Sequence, residues 1–262
     1  MKNQFLALAS HELRTPLTYV LSGSEHLLEH LRDRVSDDEL RFLQAIHQGG
    51  TRLNDIVKNL LEVAQLESQS LYLAKESLDL ALILAQLDGE FRPTAEKRGL
   101  ELELCTPDRP LSLSGDPLHL HNAFRRLLEN AIKFTEAGGR ITVTATTRSS
   151  REVIALKQAI ESFSPGFFAQ EPAGPFTQVT VSDTGIGIDP DEHQLIFDKF
   201  YESGDITGHF TSTSSFCGRG VGLGLTLVKG MIEAHGGMVW VDSTAAGGSD
   251  FHVLLPGEER HG

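Results

Sequence analysis

A helical hairpin followed by a mixed α/β domain is the fold class that these 262 residues predict. Three observations carry it. Apolar residues recur every three or four positions through residues 1–70, as on one face of a helix. From residue 77 short alternating stretches take over, separated by amphipathic ones. Two glycine clusters then sit where strand-like runs end and a helix-like run begins. The apolar fraction of 40% is ordinary and permits a sizeable core.

In the first arm of the hairpin, Leu6, Ala9, Leu13, Leu17, Val20, Ser24, Leu27 and Leu31 form a near-heptad stripe. Leu43, Ile46, Gly50, Leu53, Val57, Leu60 and Ala64 repeat it in the second. "RVSDDEL" supplies the turn, with Ser36 or Asp37 as N-cap. Two helices cannot enclose a core alone. A second copy, giving a dimeric four-helix bundle, buries both stripes, so a homodimer is expected.

The second domain spans residues 77–258. "LELELCT" and "GGRITVTATT" alternate as strands, and "PLHLHNAFRRLLENAIKF" between them is an amphipathic helix. "VTVSD", the helical "LGLTLVKGMIEAHG", "MVWVDS" and "DFHVLLP" continue the series. Residues 148–176 interrupt it. "REVIALKQAIESF" is a short helix and "SPGFFAQEPAGPF" a Pro/Gly-rich loop, together an insertion between two strands. It is read as decorative, the alternative being a partner contact through the apolar "FSPGFF". The Ser/Thr/Gly-rich stretch 201–220 has the length of a lid or binding loop.

A net charge of −13 argues against nucleic acid as a partner, since phosphate backbones call for a surplus of Lys and Arg. Cys105 and Cys217 stand alone and read as reduced thiols of a cytoplasmic protein. No apolar run is long enough to span a membrane, and "MKNQFLALAS" lacks the form of a signal peptide. The chain opens inside a helical pattern, which suggests that an upstream part has been cut away or never existed; a cytoplasmic location is expected, on its own or as part of a larger, membrane-bound protein.

Four short stretches carry chemistry. "ASHELRTPL", residues 9–17, resembles half of the zinc motif H-E-x-x-H, but Thr15 stands where the second histidine is required. At 100° per residue His11 lies opposite Ala9 and Leu13, away from the apolar seam. "SDTGIGI" puts Asp183 at a strand end, where it can accept a hydrogen bond from an amine. Gly185 and Gly187 then let the backbone pass close to a flat ligand. "GRGVGLGL" places Gly218, Gly220, Gly222 and Gly224 before a helix whose free N–H groups suit a phosphate. Asn130 and Lys133 of "ENAIKFT" share a helix face, an amide for a hard cation and an ammonium for phosphate. Each stretch alone has a bland reading as turn, cap or surface charge. Neither a P-loop nor a Rossmann fingerprint is present.

Taken in order, "FLALASHELRTPLT", "ENAIKFT", "SDTGIGI", "IFDKFY", "GRGVGLGL" and "GGSDFHVLLP" resemble sensor histidine kinases of two-component systems. The resemblance covers nearly the whole chain apart from the insertion. It implies a dimerisation and phosphotransfer hairpin, followed by a two-layer α/β sandwich of the GHKL (Bergerat) ATP-binding fold. It further implies that His11 accepts the γ-phosphoryl group of ATP, with Glu12 as its general base. Thr15 would serve dephosphorylation of a response regulator, the phosphoryl group's other partner. Asp183 would read the adenine amine, with Gly185 and Gly187 making room for the base. Asn130 would bind Mg²⁺ and Lys133 phosphate, with Gly220, Gly222 and Gly224 as lid hinge and phosphate-facing turn. Phe197 and Phe200 match an aromatic pair that anchors the lid. Pro16, just past His11, is expected to bend the helix. One departure stands out: Arg126 occupies the place of a second asparagine common in the family.

Overall fold

The computed structural model describes residues 2–31, 34–68, 72–201, 221–243 and 247–258. They fall into two compact units, Met1–Leu71 and Tyr72–Gly262.

The first unit is a pair of long helices, α1 (Lys2–Leu31) and α2 (Asp37–Glu67). Ser36 is the residue that starts α2. Its Oγ accepts the Glu39 N–H, and the Glu39 carboxylate accepts the Ser36 N–H at 2.8 Å. That reciprocal box satisfies two donors a helix start leaves open, and Asp37, Asp38 and Glu39 favour the positive end of the helix dipole. Leu17, Ser24, Gly50 and Val63 are buried between the arms. A methyl on Gly50 would come within 3.0 Å of Leu21, so the helices cross closely there. Leu13, Val20, Phe42, Ile46, Leu53 and Leu60 remain exposed, a continuation of the apolar stripe that one hairpin leaves uncovered.

The second unit runs β1 (Glu76–Asp79), α3 (Leu80–Lys97), β2 (Glu101–Cys105), β3 (Ser112–Gly115), α4 (Pro117–Phe134), β4 (Arg140–Arg148), α5 (Ser150–Ile160), β5 (Phe176–Asp183), α6 (Gly224–Ala234), β6 (Met238–Ser243) and β7 (Ser249–Pro256). Five strands make one sheet in the order β2-β4-β5-β7-β6, parallel only between β2 and β4. β1 and β3 pair separately. Helices α3, α4 and α6 lie on one face of the large sheet. Strand alternation decides which residues meet them: Ile141, Val143, Val179, Val181, Phe251 and Val253 are buried, opposite Leu120, Leu127, Leu227 and Val228. Their neighbours in sequence (Thr142, Thr144, Thr180, His252) form the polar reverse face. The result is a two-layer sandwich, as the motifs imply.

Helix α3 and the small β1–β3 sheet go beyond the sequence reading, which gives this stretch no assignment of its own. Leu80, Ile83, Leu84, Leu87, Phe91 and Ala95 are its buried stripe, spaced as a helix requires.

The insertion is shorter by one residue at each end than the stretch 148–176. Arg148 and Phe176 are register partners, so the strands continue through both and the inserted segment is 149–175. Ser149 caps α5 with a second capping box through Glu152. Two short 3-10 turns follow, at Glu161–Phe163 and Pro165–Phe168. "FSPGFF" is not a bare apolar surface: Phe163 and Phe168 are buried within the domain, and the first turn packs against β6.

Candidate functional site

Two residues at the start of α4 set the direction of the helix that carries Asn130 and Lys133. Asp116 caps it by accepting the His119 N–H at 3.0 Å, and Pro117 follows where a missing N–H costs nothing. The Asp116 N–H donates to Nε2 of buried His235 (2.9 Å), whose Nδ1–H donates to the Met231 carbonyl (2.7 Å). This ties the start of α4 to the end of α6 and holds His235 as a neutral imidazole; burial lowers its pKa. Burial alone would raise the Asp116 carboxyl, but hydrogen bonds from His119 and the Ala74 N–H prevail and hold it at about 2.

Asn130 and Lys133 sit three residues apart near the C-terminal end of α4, both half-buried. Among the described residues none bonds the Asn130 amide. The Lys133 ammonium stands 4.8 Å from the centroid of the Phe134 ring. Arg126 lies one turn before Asn130 on the same helix.

Asp183 ends β5, and its Oδ1 accepts the Gly185 N–H at 2.8 Å, closing a tight turn. Burial pushes its carboxyl above the ordinary range, against bonds from the Gly185 and Ser249 backbones that draw it down, and Asp250 nearby adds to the rise. The turn is fastened to α4, because the Ile186 N–H donates to the Phe134 carbonyl at 3.3 Å. A Cβ at Gly185 would lie 2.4 Å from that same oxygen, so only glycine fits. Gly187 faces the backbone of Gly248.

Of the second cluster, Gly218 and Gly220 lie outside the described residues, as does Cys217. Gly222 has φ +67°, and its carbonyl accepts the Phe200 N–H at 2.9 Å. A Cβ there would meet the Tyr201 carbonyl at 2.6 Å. Gly224 opens α6, where a Cβ would meet nothing within 4 Å. Leu223 offers no side-chain cap, leaving first-turn N–H groups of α6 for an anion. Phe197 is buried, and its carbonyl accepts the Thr226 hydroxyl at 3.0 Å. Phe200 is 61% exposed and has φ +63°, a left-handed conformation rare outside glycine.

In the first unit, His11 lies within α1, and its side chain falls outside the described residues. Glu12 and Thr15 are exposed on that helix, which continues through Pro16.

Two groups were missed at the level of single residues. Thr184 accepts the Arg140 N–H through Oγ1 at 2.9 Å and pins the loop after β5 to the start of β4. Gly248 packs so tightly that a Cβ would lie 2.2 Å from the Asp183 carbonyl. The "GGSD" preceding the last strand is the signal for Gly248; a threonine in a glycine turn gives none.

Within the second unit the arrangement offers a carboxylate for an amine, a glycine floor for a flat ring, an open helix N-terminus for phosphate and an amide for a hard cation. Among the described residues no group of three His, Cys, Asp or Glu could hold a metal by itself.

Comparison with known proteins agrees with this geometry. Residues 115–259 match the family described as histidine kinase-, DNA gyrase B- and HSP90-like ATPase, and residues 1–69 match the His Kinase A (phospho-acceptor) domain. The fold and site thus define a phosphoacceptor hairpin joined to a GHKL-type ATP-binding domain. The chain belongs to the protein histidine kinases of two-component signalling. It is 30% identical to hybrid signal transduction histidine kinase D of Dictyostelium discoideum over 98% of this chain and 15% of that protein. With sensor protein GacS of Pseudomonas syringae pv. syringae it shares 32% identity, covering 97% of this chain and 25% of that one. Full-length ShkA, solved in complex with AMPPNP, superposes with a TM-score of 0.73 at 25% identity, covering 97% of this chain and 45% of ShkA. The chain thus spans less than half the length of these relatives. No helix among the described residues is long and apolar enough to cross a membrane.

Proposed function

We propose that the chain is a homodimeric, ATP-dependent kinase that phosphorylates its own His11 and passes the phosphoryl group to an aspartate of a response regulator. Residues 1–70 act as the phosphoacceptor hairpin and residues 77–258 as the ATP-binding domain, in the cytoplasm. One observation carries the reading most. The turn at Gly185 touches the α4 carbonyl so closely that no side chain fits, with Asp183 fixed at its edge and the uncapped start of α6 beyond.

Asp183 accepts the adenine amine, while Gly185 and Gly187 admit the ring. Gly220, Gly222 and Gly224 shape the lid hinge and the phosphate-facing turn. Lys133 contacts phosphate, and Asn130 with its unbonded amide would hold Mg²⁺ against the triphosphate oxygens. When bound, Mg²⁺ supplies charge neutralisation as the bond to the leaving ADP lengthens. One imidazole nitrogen of His11 forms the new N–P bond as the γ P–O bond to ADP breaks, and the proton on the other nitrogen passes to Glu12. Thr15, one turn beyond His11, positions a water that hydrolyses the regulator's phosphoaspartate to aspartate and inorganic phosphate. The exposed apolar stripe of the hairpin supports the homodimer.

Incubation with Mg²⁺ and ATP labelled at the γ-phosphate tests the reading. The expected product is acid-labile, alkali-stable label on the wild type and none on His11→Gln. Label that survives His11→Gln would overturn it, as would its absence from both.

A further inference from the structure

The inserted segment 149–175 borders an open pocket of about 800 Å³, against the C-terminal half of α6 and the end of β7. That volume lies in the range of small-molecule sites. None of the residues assigned above to nucleotide lines it.

Its apolar wall comes from Phe163, Phe167 and Phe176. Phe167 is half-exposed, yet its ring is fixed from two sides, edge-on to Phe168 and Phe176 at 5.0 and 6.0 Å between centroids. Such a ring offers a flat partner a preformed surface. Two charges of α6 line the same cavity one turn apart, Lys229 and Glu233. Glu233 is engaged, since it accepts the Ser164 hydroxyl at 3.1 Å. Lys229 has no ion-pair partner among the described residues. Glu171 also lines the cavity and is exposed, so a second negative charge on an occupant would be repelled.

We propose that this cavity binds a small aromatic monocarboxylate, its ring against the phenylalanine wall and its carboxylate on Lys229, and that occupancy changes nucleotide affinity. The route is short. Phe163 stands edge-on to Phe197, 6.2 Å between centroids and 90° between planes. The Phe197 carbonyl in turn accepts the Thr226 hydroxyl in the first turn of α6. Lys229 is three residues further along that helix, on the same face. A ligand that draws on Lys229 or reseats Phe163 therefore acts on the helix whose start faces the phosphates. The coupling rests on the nucleotide reading above; the pocket itself does not.

Calorimetry on the whole chain tests both parts, with 2-naphthoate and its neutral analogue 2-naphthamide as probes, in the presence and absence of Mg²⁺ and ADP. Saturable binding of 2-naphthoate is expected, weakened about tenfold by Lys229→Gln, the equivalent of one partly shielded ion pair. The amide binds more weakly and is indifferent to Lys229→Gln. Phe167→Leu weakens both probes, and thermal melts of each variant verify folding. Saturating 2-naphthoate shifts the ADP dissociation constant by about threefold or more. Absence of saturable binding, or equal affinity for Lys229→Gln, overturns the pocket; an unmoved ADP constant overturns the coupling. If ADP fails to bind at all, the nucleotide reading falls, while the naphthoate titrations still decide the pocket.

Discussion

Asp183 ends β5 with its carboxyl partly buried beside the glycine turn. Its carboxyl is pushed upward by burial, so ionisation is less favourable in the folded chain than in the unfolded one. The linkage follows from that direction. Between the ordinary carboxyl value of 3.8 and the raised folded one, the folded state binds more protons than the unfolded, and stability falls as pH rises. Asp183→Asn keeps an oxygen for the Gly185 N–H and removes the charge. We expect its urea midpoint at pH 7.5 to equal or exceed the wild type, the advantage vanishing below pH 3.8, while ATP affinity measured by calorimetry drops at least tenfold. Gly222, just before α6, and Gly224, which opens it, make a second contrast. Gly222→Ala forces a methyl onto the Tyr201 carbonyl at positive φ and should cost about 1–3 kcal/mol. Gly224→Ala meets open space in a helix and should leave the melting temperature unchanged or higher. Calorimetric melts separate the pair.

At the scale of elements, the start of α2 is governed by local chemistry and was legible for that reason. Ser36 with Glu39 is a capping box readable from four letters, although the sequence alone left Ser36 and Asp37 level. Ser36→Ala should speed amide exchange in the first turn of α2 about fivefold without altering the second unit, as hydrogen-exchange mass spectrometry would detect. The five strands of the large sheet and α4 and α6 were equally plain, their periods of two and 3.6 being imposed by a single buried face. What stayed hidden depended on tertiary contact. Helix α3 carries its stripe in "LDLALILAQLDGEF" but has Pro93 inside and no glycine motif beside it. The burial of Phe163 was hidden because strand β6, which packs against its turn, lies some 75 residues further along the chain. At the candidate site, Gly185 and Gly222 stand where backbone crowding restricts residue type, which a sequence can signal, whereas Thr184 acts through one hydroxyl that no spacing announces.

For the molecule as a whole, acid sensitivity should be set by groups that fasten α4 to its surroundings. His235 is buried neutral with its pKa lowered, so the unfolded chain takes up a proton that the folded chain refuses. Stability from this source is present above pH 6.5 and is lost as pH falls below it. Asp116 adds a second loss from pH 3.8 down through about 2. His235→Leu should destabilise the domain by about 2 kcal/mol at pH 8, and its deficit against the wild type should narrow below pH 6.5 in urea titrations. The sheet also bears on how such a protein changes over generations. Because Arg148 and Phe176 are register partners, the chain leaves β4 and re-enters β5 at neighbouring points, and 149–175 is an overgrown hairpin tip. Growing a closed loop eightfold adds only about 2 kcal/mol of closure entropy. The segment can therefore lengthen, shorten or be exchanged between lineages with the strand register untouched, which makes it a place where heredity can rewire an input while the catalytic scaffold stays as it was.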